Sequence, residues 1–307
     1  MPWARLRPAS RPRALSPTQQ AAAGWAIALV TGLFLLAGRV IADMDKESIT
    51  FARKGQTIAS LDPAQMQMQM KTSPQSVRVF EPYEKDEADF LAFPLAEVLD
   101  AVYSPSWRTE DELLLTCRDG YRPSLPAARV LAHSAWLAFS RQDTASFSIL
   151  KPESGQEKRV DLGPFYLVWE NLHDAVIRQE GDYGWPYQLV GIDLVSTREQ
   201  FRAMAPPADA SAQVGLGFQA FRIHCSRCHR LNGEGGEIGP ELNPASGKTR
   251  YYDRDWLGAW IRDPASMRPG TRMPPLNIDL PDRERSVQAI IAYLYAISGE
   301  AAGRKED

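Results

Sequence analysis

Toward the end of this 307-residue chain two cysteines stand three positions apart, and a histidine follows at once: Cys225-Ser226-Arg227-Cys228-His229. On a helical turn, residues three apart share a face, so both thiols can grip two edges of one planar group while the next side chain points its imidazole along the ring normal. This is the attachment pattern of haem c, in which Cys225 and Cys228 form thioethers to the vinyl groups and His229 ligates the iron. A structural zinc half-site and a thioredoxin-like redox pair also use C-x-x-C. Zinc needs two further thiol or imidazole ligands, and only His224 is unassigned nearby. A redox pair usually follows a strand, whereas a helical pattern precedes this one. His224 cannot point along the same normal as its neighbour's ligand, so it is read as a surface or packing residue.

The surroundings extend the pattern over about ninety residues. Gly217 and Phe221 precede Cys225, Gly239-Pro240 follows His229, and Pro269-Gly270-Thr271-Arg272-Met273-Pro274 comes later. Val287, Ile290, Ile291, Leu294 and Ile297 then repeat along one helical face. In these motifs residues 214–307 resemble a class I cytochrome c. The resemblance implies an all-α domain whose first and last helices cross at Gly217. It also implies that the Pro240 carbonyl accepts the His229 ring N–H, and that Met273 is the sixth ligand, with Met267 as its rival. His/Met ligation raises the reduction potential and leaves no open position for substrate, which suits electron transfer.

The opposite end of the chain carries a different signal. Residues 1–42 hold five arginines and no acid, and Ala21 to Gly38 is uncharged and apolar. As a helix this run reaches about 27 Å, close to the hydrocarbon thickness of a bilayer. The reading is a basic cytoplasmic segment over 1–20 and a transmembrane anchor over 21–42, favoured over a signal peptide cleaved near Val40-Ile41-Ala42. The rest then lies in the periplasm, attached to the inner membrane by a single pass. Covalent haem attachment agrees, since it implies an oxidising compartment.

Between these ends, residues 43–213 carry 17 basic against 26 acidic residues, and residues 214–307 carry a net charge of +1. No basic patch is large enough for nucleic acid. Gln65-Met66-Gln67-Met68-Gln69-Met70 alternates strictly and is read as a half-buried strand, with its thioether row a remote copper candidate. Strand-like runs follow at Ser76–Phe80, Leu113–Thr116, Phe147–Leu150, Phe165–Val168 and Gln188–Val195, with helical patterns at Pro94–Tyr103 and Pro126–His133. The α+β domain is placed at 43–204 and a small, Pro-containing linker at 205–213.

In this middle part Phe80-Glu81-Pro82-Tyr83, Phe93-Pro94-Leu95, Asp119-Gly120-Tyr121, Gly163-Pro164-Phe165 and Trp185-Pro186-Tyr187 fall in the order of motifs found in sulfite-oxidase-type molybdopterin-binding domains. The order resembles that family over residues 76–197. The family's metal cysteine has no counterpart, because Cys117 lies in a later strand-turn segment, so the domain is read as a cofactor-free docking relative. His133 and His173 have no carboxylate or thiol at a motif spacing, and Asp119 is a turn former. Trp256 and Trp260 share a helical face and are read as packing around the haem. Arg222, Arg227, Arg230, Arg268 and Arg272 are candidates for a basic rim that steers an acidic partner.

The whole is multidomain: an N-terminal transmembrane helix, an α+β molybdopterin-domain-like middle and an all-α cytochrome c C-terminal domain. The expected function is one-electron transfer through one covalent haem c to redox protein partners, as part of a respiratory or dehydrogenase complex. An oxidoreductase with a cofactor or substrate in the middle domain is the alternative, and a haem-based sensor is another.

Overall fold

The computed structural model describes residues 47–70, 72–153, 156–242, 253–278 and 280–298. The anchor or signal expected at 21–42 lies outside these residues, as does the basic segment before it. Among the described residues no helix is long and apolar enough to cross a membrane.

The α+β part runs β1 (Ile49–Arg53), β2 (Gln56–Leu61), α1 (Pro63–Met70), β3 (Gln75–Glu81), β4 (Asp86–Pro94), α2 (Leu95–Tyr103), β5 (Glu112–Cys117), β6 (Ser124–Pro126), α3 (Ala127–Ala132), β7 (Ala135–Arg141), β8 (Ser148–Glu153), β9 (Gln156–Asp161), β10 (Tyr166–Trp169), α4 (Ala175–Gln179), β11 (Leu189–Val195) and α5 (Thr197–Gln200). One mixed sheet has the order β2-β1-β11-β5-β6, with only β1 and β11 parallel; a second, antiparallel, has the order β10-β7-β4-β3. Fully buried Phe51, Phe90, Phe93, Trp107, Tyr166, Trp169 and Trp185 belong to one apolar core. The β1–β2 hairpin turns on Lys54 and Gly55, both with positive φ, the geometry that matches the twist of paired strands.

The strand expected at Gln65–Met70 is instead helix α1. Asp62 and Gln65 form a reciprocal cap, Gln65 N–H donating to Asp62 Oδ1 at 2.7 Å and Asp62 N–H to Gln65 Oε1 at 2.9 Å, and Pro63 opens the first turn. Gln and Met are also good helix formers, so the local preference outweighs the two-residue alternation. On the helix the thioethers separate: Met66 is buried, whereas Met68 is 74% exposed. The thioether row, a remote copper candidate in the sequence, is therefore not one face.

The C-terminal part runs α6 (Ala212–His224), β12 (Arg230–Leu231), β13 (Glu234–Gly235), α7 (Arg254–Arg262), α8 (Pro264–Met267) and α9 (Arg283–Ile297). Ser211 caps α6 by accepting the Val214 N–H. Val287, Ile290, Ile291 and Leu294 of α9 are buried in a second core, each contributing about 1.5–3 kcal/mol. Phe201 and Met204, from the chain preceding α6, complete that core, and the Tyr293 hydroxyl donates to the Met204 carbonyl at 2.7 Å. The two parts meet along the turn after β5: Arg122 N–H donates to the Arg227 carbonyl and Glu237 N–H to the Gly120 carbonyl, both at 2.9 Å.

Candidate haem site

Helix α6 ends where the motif begins. Cys225 N–H and Ser226 N–H both donate to the Phe221 carbonyl, and Cys228 N–H and His229 N–H donate to that of Cys225, so the five residues wind through one tight turn. What aims this turn is the crossing of α6 and α9. A Cβ at Gly217 would fall 1.9 Å from the Ala289 carbonyl oxygen, so only glycine permits the approach. Phe221, fully buried, packs on Tyr293 with ring centroids 5.3 Å apart.

The His229 ring is fixed from two sides. Its Nδ1 lies 2.8 Å from the Pro240 carbonyl oxygen; a carbonyl only accepts, so Nδ1 carries the proton and Nε2 keeps a free lone pair. Against the ring lies Gly239, where a Cβ would come within 2.3 Å of His229 Cε1. The ring therefore has one orientation and one nitrogen available to a metal.

The thiols argue against a redox pair. Burial pushes Cys225 up to about 12 and raises Cys228 as well. Reactive C-x-x-C thiols depend on the opposite shift, commonly at a helix N-terminus. These sit at the C-terminal end of α6, where the helix dipole disfavours a thiolate. Nor, among the described residues, do three His, Cys, Asp or Glu side chains converge that could hold a metal ion between them. Burial lowers His224 to about 4, which leaves it neutral in the packing.

Across the C-terminal part, Met273 sits in the loop between α8 and α9. Its sulfur accepts the Trp260 Nε1–H at 3.0 Å. Trp260 in turn stacks on Trp256, centroids 5.5 Å apart and planes 7° off parallel. The loop is fastened by Leu276 N–H to the Ile261 carbonyl at 3.0 Å and by Arg283, which donates to the carbonyls of Leu276 and Arg262. Met267 closes α8, six residues earlier.

Residues 214–298 match the family model Cytochrome c. This part of the chain is a cytochrome c domain. No curated protein matches the chain. The cytochrome c domain implies covalently bound haem c, and the residues fit it: two protonated thiols, an oriented imidazole with a free nitrogen and a thioether are the donors that thioether attachment and axial ligation require.

The arginines expected to form a basic rim around this domain divide. Arg222 pairs with Glu112 of β5, Arg227 lies over the Tyr121 ring at 6.0 Å, and Arg230 pairs with Glu237 and Glu241 at 3.1 and 3.5 Å. Those three are engaged within the chain, which leaves the exposed Arg268 and Arg272 beside Met273. Of the other candidates, Cys117 is buried at the end of β5, and burial raises its thiol well above the ordinary value. An open cleft of about 550 Å³ lies beside it, lined also by Arg118, Arg122 and Glu237. His133 Nδ1 contacts Asp174 Oδ2 at 2.5 Å across 41 positions, which no local spacing announced, whereas His173 Nδ1 contacts Glu170 at 2.9 Å only three residues earlier, a carboxylate that the sequence reading overlooked. Asp119 accepts the Tyr121 N–H in the turn at Gly120, whose φ is +89°. Sequence reasoning also missed Glu112, because nothing local marks it as the partner of a residue 110 positions away.

Proposed function

We propose that this protein is a membrane-anchored, periplasm-facing monohaem cytochrome that passes single electrons between redox protein partners. The observation that carries the haem reading is the His229–Pro240 hydrogen bond, which leaves Nε2 free one residue after Cys228. When bound, haem c supplies a one-electron Fe(III)/Fe(II) couple. Cys225 and Cys228 would hold it covalently. Pro240 and Gly239 orient His229, whose Nε2 would ligate the iron, and Met273, whose sulfur accepts the Trp260 indole N–H, would supply the second protein ligand. Two protein ligands to the iron would suit electron transfer rather than substrate binding. The uncharged run at 21–38 and its arginine flank support the anchor and the periplasmic side.

The α+β body resembles a molybdopterin-binding domain without its metal ligand, and we assign it a docking role. Its residues do not offer the family's metal thiolate, because Cys117, its only thiol, is buried at the end of β5, in a later strand-turn segment than the one that carries the family's metal cysteine.

Metal content and optical spectra test the reading on the full chain expressed with haem maturation. The expected result is one iron and no molybdenum per chain, with a sulfur-to-iron charge-transfer band that disappears in Met273→Ala. Molybdenum near one per chain overturns the docking assignment. Survival of the band in the variant transfers the sixth-ligand role to Met267, and rapid CO binding by the ferrous protein favours a sensor over a carrier.

A further inference from the structure

The α+β body grips the attachment segment through a buried ion pair. Arg222 stands on the last turn of α6, three residues before Cys225, and its Nη2 donates to Glu112 Oε1 of β5. Both side chains are shielded from water, 15% exposed for Arg222 and 7% for Glu112. The guanidinium lies over the Phe201 ring at 4.5 Å and the Phe218 ring at 5.7 Å. Glu112 is itself held by hydroxyls, the Thr197 Oγ1–H donating to Oε1 at 3.1 Å and the Ser124 Oγ–H to Oε2. From the Arg222 backbone the contact continues into the motif, because the Ser226 hydroxyl donates to the Arg222 carbonyl at 2.8 Å. Within the motif itself the body makes a further contact, Arg122 N–H to the Arg227 carbonyl at 2.9 Å.

We infer that Glu112 is a positioning residue of the redox centre: through Arg222 the α+β body holds the haem-bearing turn and sets the electrostatic balance beside it. This rests on the reading of residues 225–229 as the haem attachment segment. The pair is nearly neutral as it stands, and either charge alone would act in a poorly screened environment. A lone buried Arg222 cation opposes the extra positive charge of the oxidised iron and favours the reduced form. A lone Glu112 carboxylate does the reverse. The two single neutralisations must therefore move the reduction potential in opposite directions. A pair that served only to pack would, when broken from either side, loosen the same segment and move the potential the same way.

The test uses the full chain matured with haem, in wild type, Glu112→Gln, Arg222→Gln, the double variant and Arg222→Lys. Covalent haem and midpoint potential are measured for each. The expected result is an upward shift for Glu112→Gln, a downward shift for Arg222→Gln, and values close to wild type for the double variant and for Arg222→Lys. Single shifts of the same sign, or no shift in haem-loaded variants, overturn the inference while leaving the haem reading intact. Absence of covalent haem from the wild type overturns both. Where a single variant fails to load haem but the double variant loads it, the unpaired charge is the cause and the inference stands. Failure of all three neutralising variants points to packing and overturns it.

Discussion

The Trp260 indole N–H donates to the Met273 sulfur at 3.0 Å, joining residues that the chain separates by thirteen positions. A donor on this sulfur withdraws density from the lone pairs that stabilise ferric iron more than ferrous. With Met273 as sixth ligand, Trp260→Phe keeps the ring and removes the donor, so the reduction potential falls. The expected drop is about 1 kcal/mol, or about 40 mV for one electron. A spectroelectrochemical titration reads it, and an unchanged potential with the Met–iron band intact would show that the bond has no weight in the loaded protein.

Helix α6 offers a paired control on packing. Gly217→Ala places a Cβ 1.9 Å from the Ala289 carbonyl, whereas a Cβ at Gly215 meets nothing within 4 Å. The first substitution forces α6 and α9 apart and is expected to cost at least about 1–3 kcal/mol. The second improves helix propensity and is neutral or stabilising by up to about 1 kcal/mol. Thermal denaturation of the haem-loaded variants checks the contrast, and equal melting temperatures would contradict the crossing described.

A surface pair on α7 and α9 gives a pH dependence. Arg262 donates to Glu284, whose carboxyl is lowered from 4.5 to about 2, chiefly by that hydrogen bond and then by Gln288. Because the folded value is depressed, the stabilisation is present above the ordinary carboxyl range and is lost as pH falls toward 2. Arg262→Met is therefore expected to be less stable than wild type at pH 6, with a gap that closes progressively below pH 4.5. Denaturant melts across that range measure it. A gap that widened on acidification would contradict the sign.

The redox chemistry was legible because it is local. Cys225, Cys228 and His229 lie within one turn, so spacing alone limits what they can hold, and Gly217 and Gly239 mark close approaches that a side chain would block. The burial of Val287, Ile290, Ile291 and Leu294 follows from the helical period that announced it. Local pattern misled at Gln65–Met70, where the alternation suited a strand and the Asp62–Gln65 cap, with two residue types that favour helix, decided otherwise.

The sequence by itself determined the C-x-x-C-H spacing of the C-terminal domain, its helical faces and the resemblance to cytochrome c that the match over residues 214–298 bears out. Only the tertiary structure decided which arginines are engaged, that Trp260 meets the sulfur of Met273, and that Glu112 pairs with Arg222. Spacing encodes contacts within a turn or along a face. It carries no information on which distant segments are brought together, and the Glu112–Arg222 pair exists only because β5 and the end of α6 pack side by side.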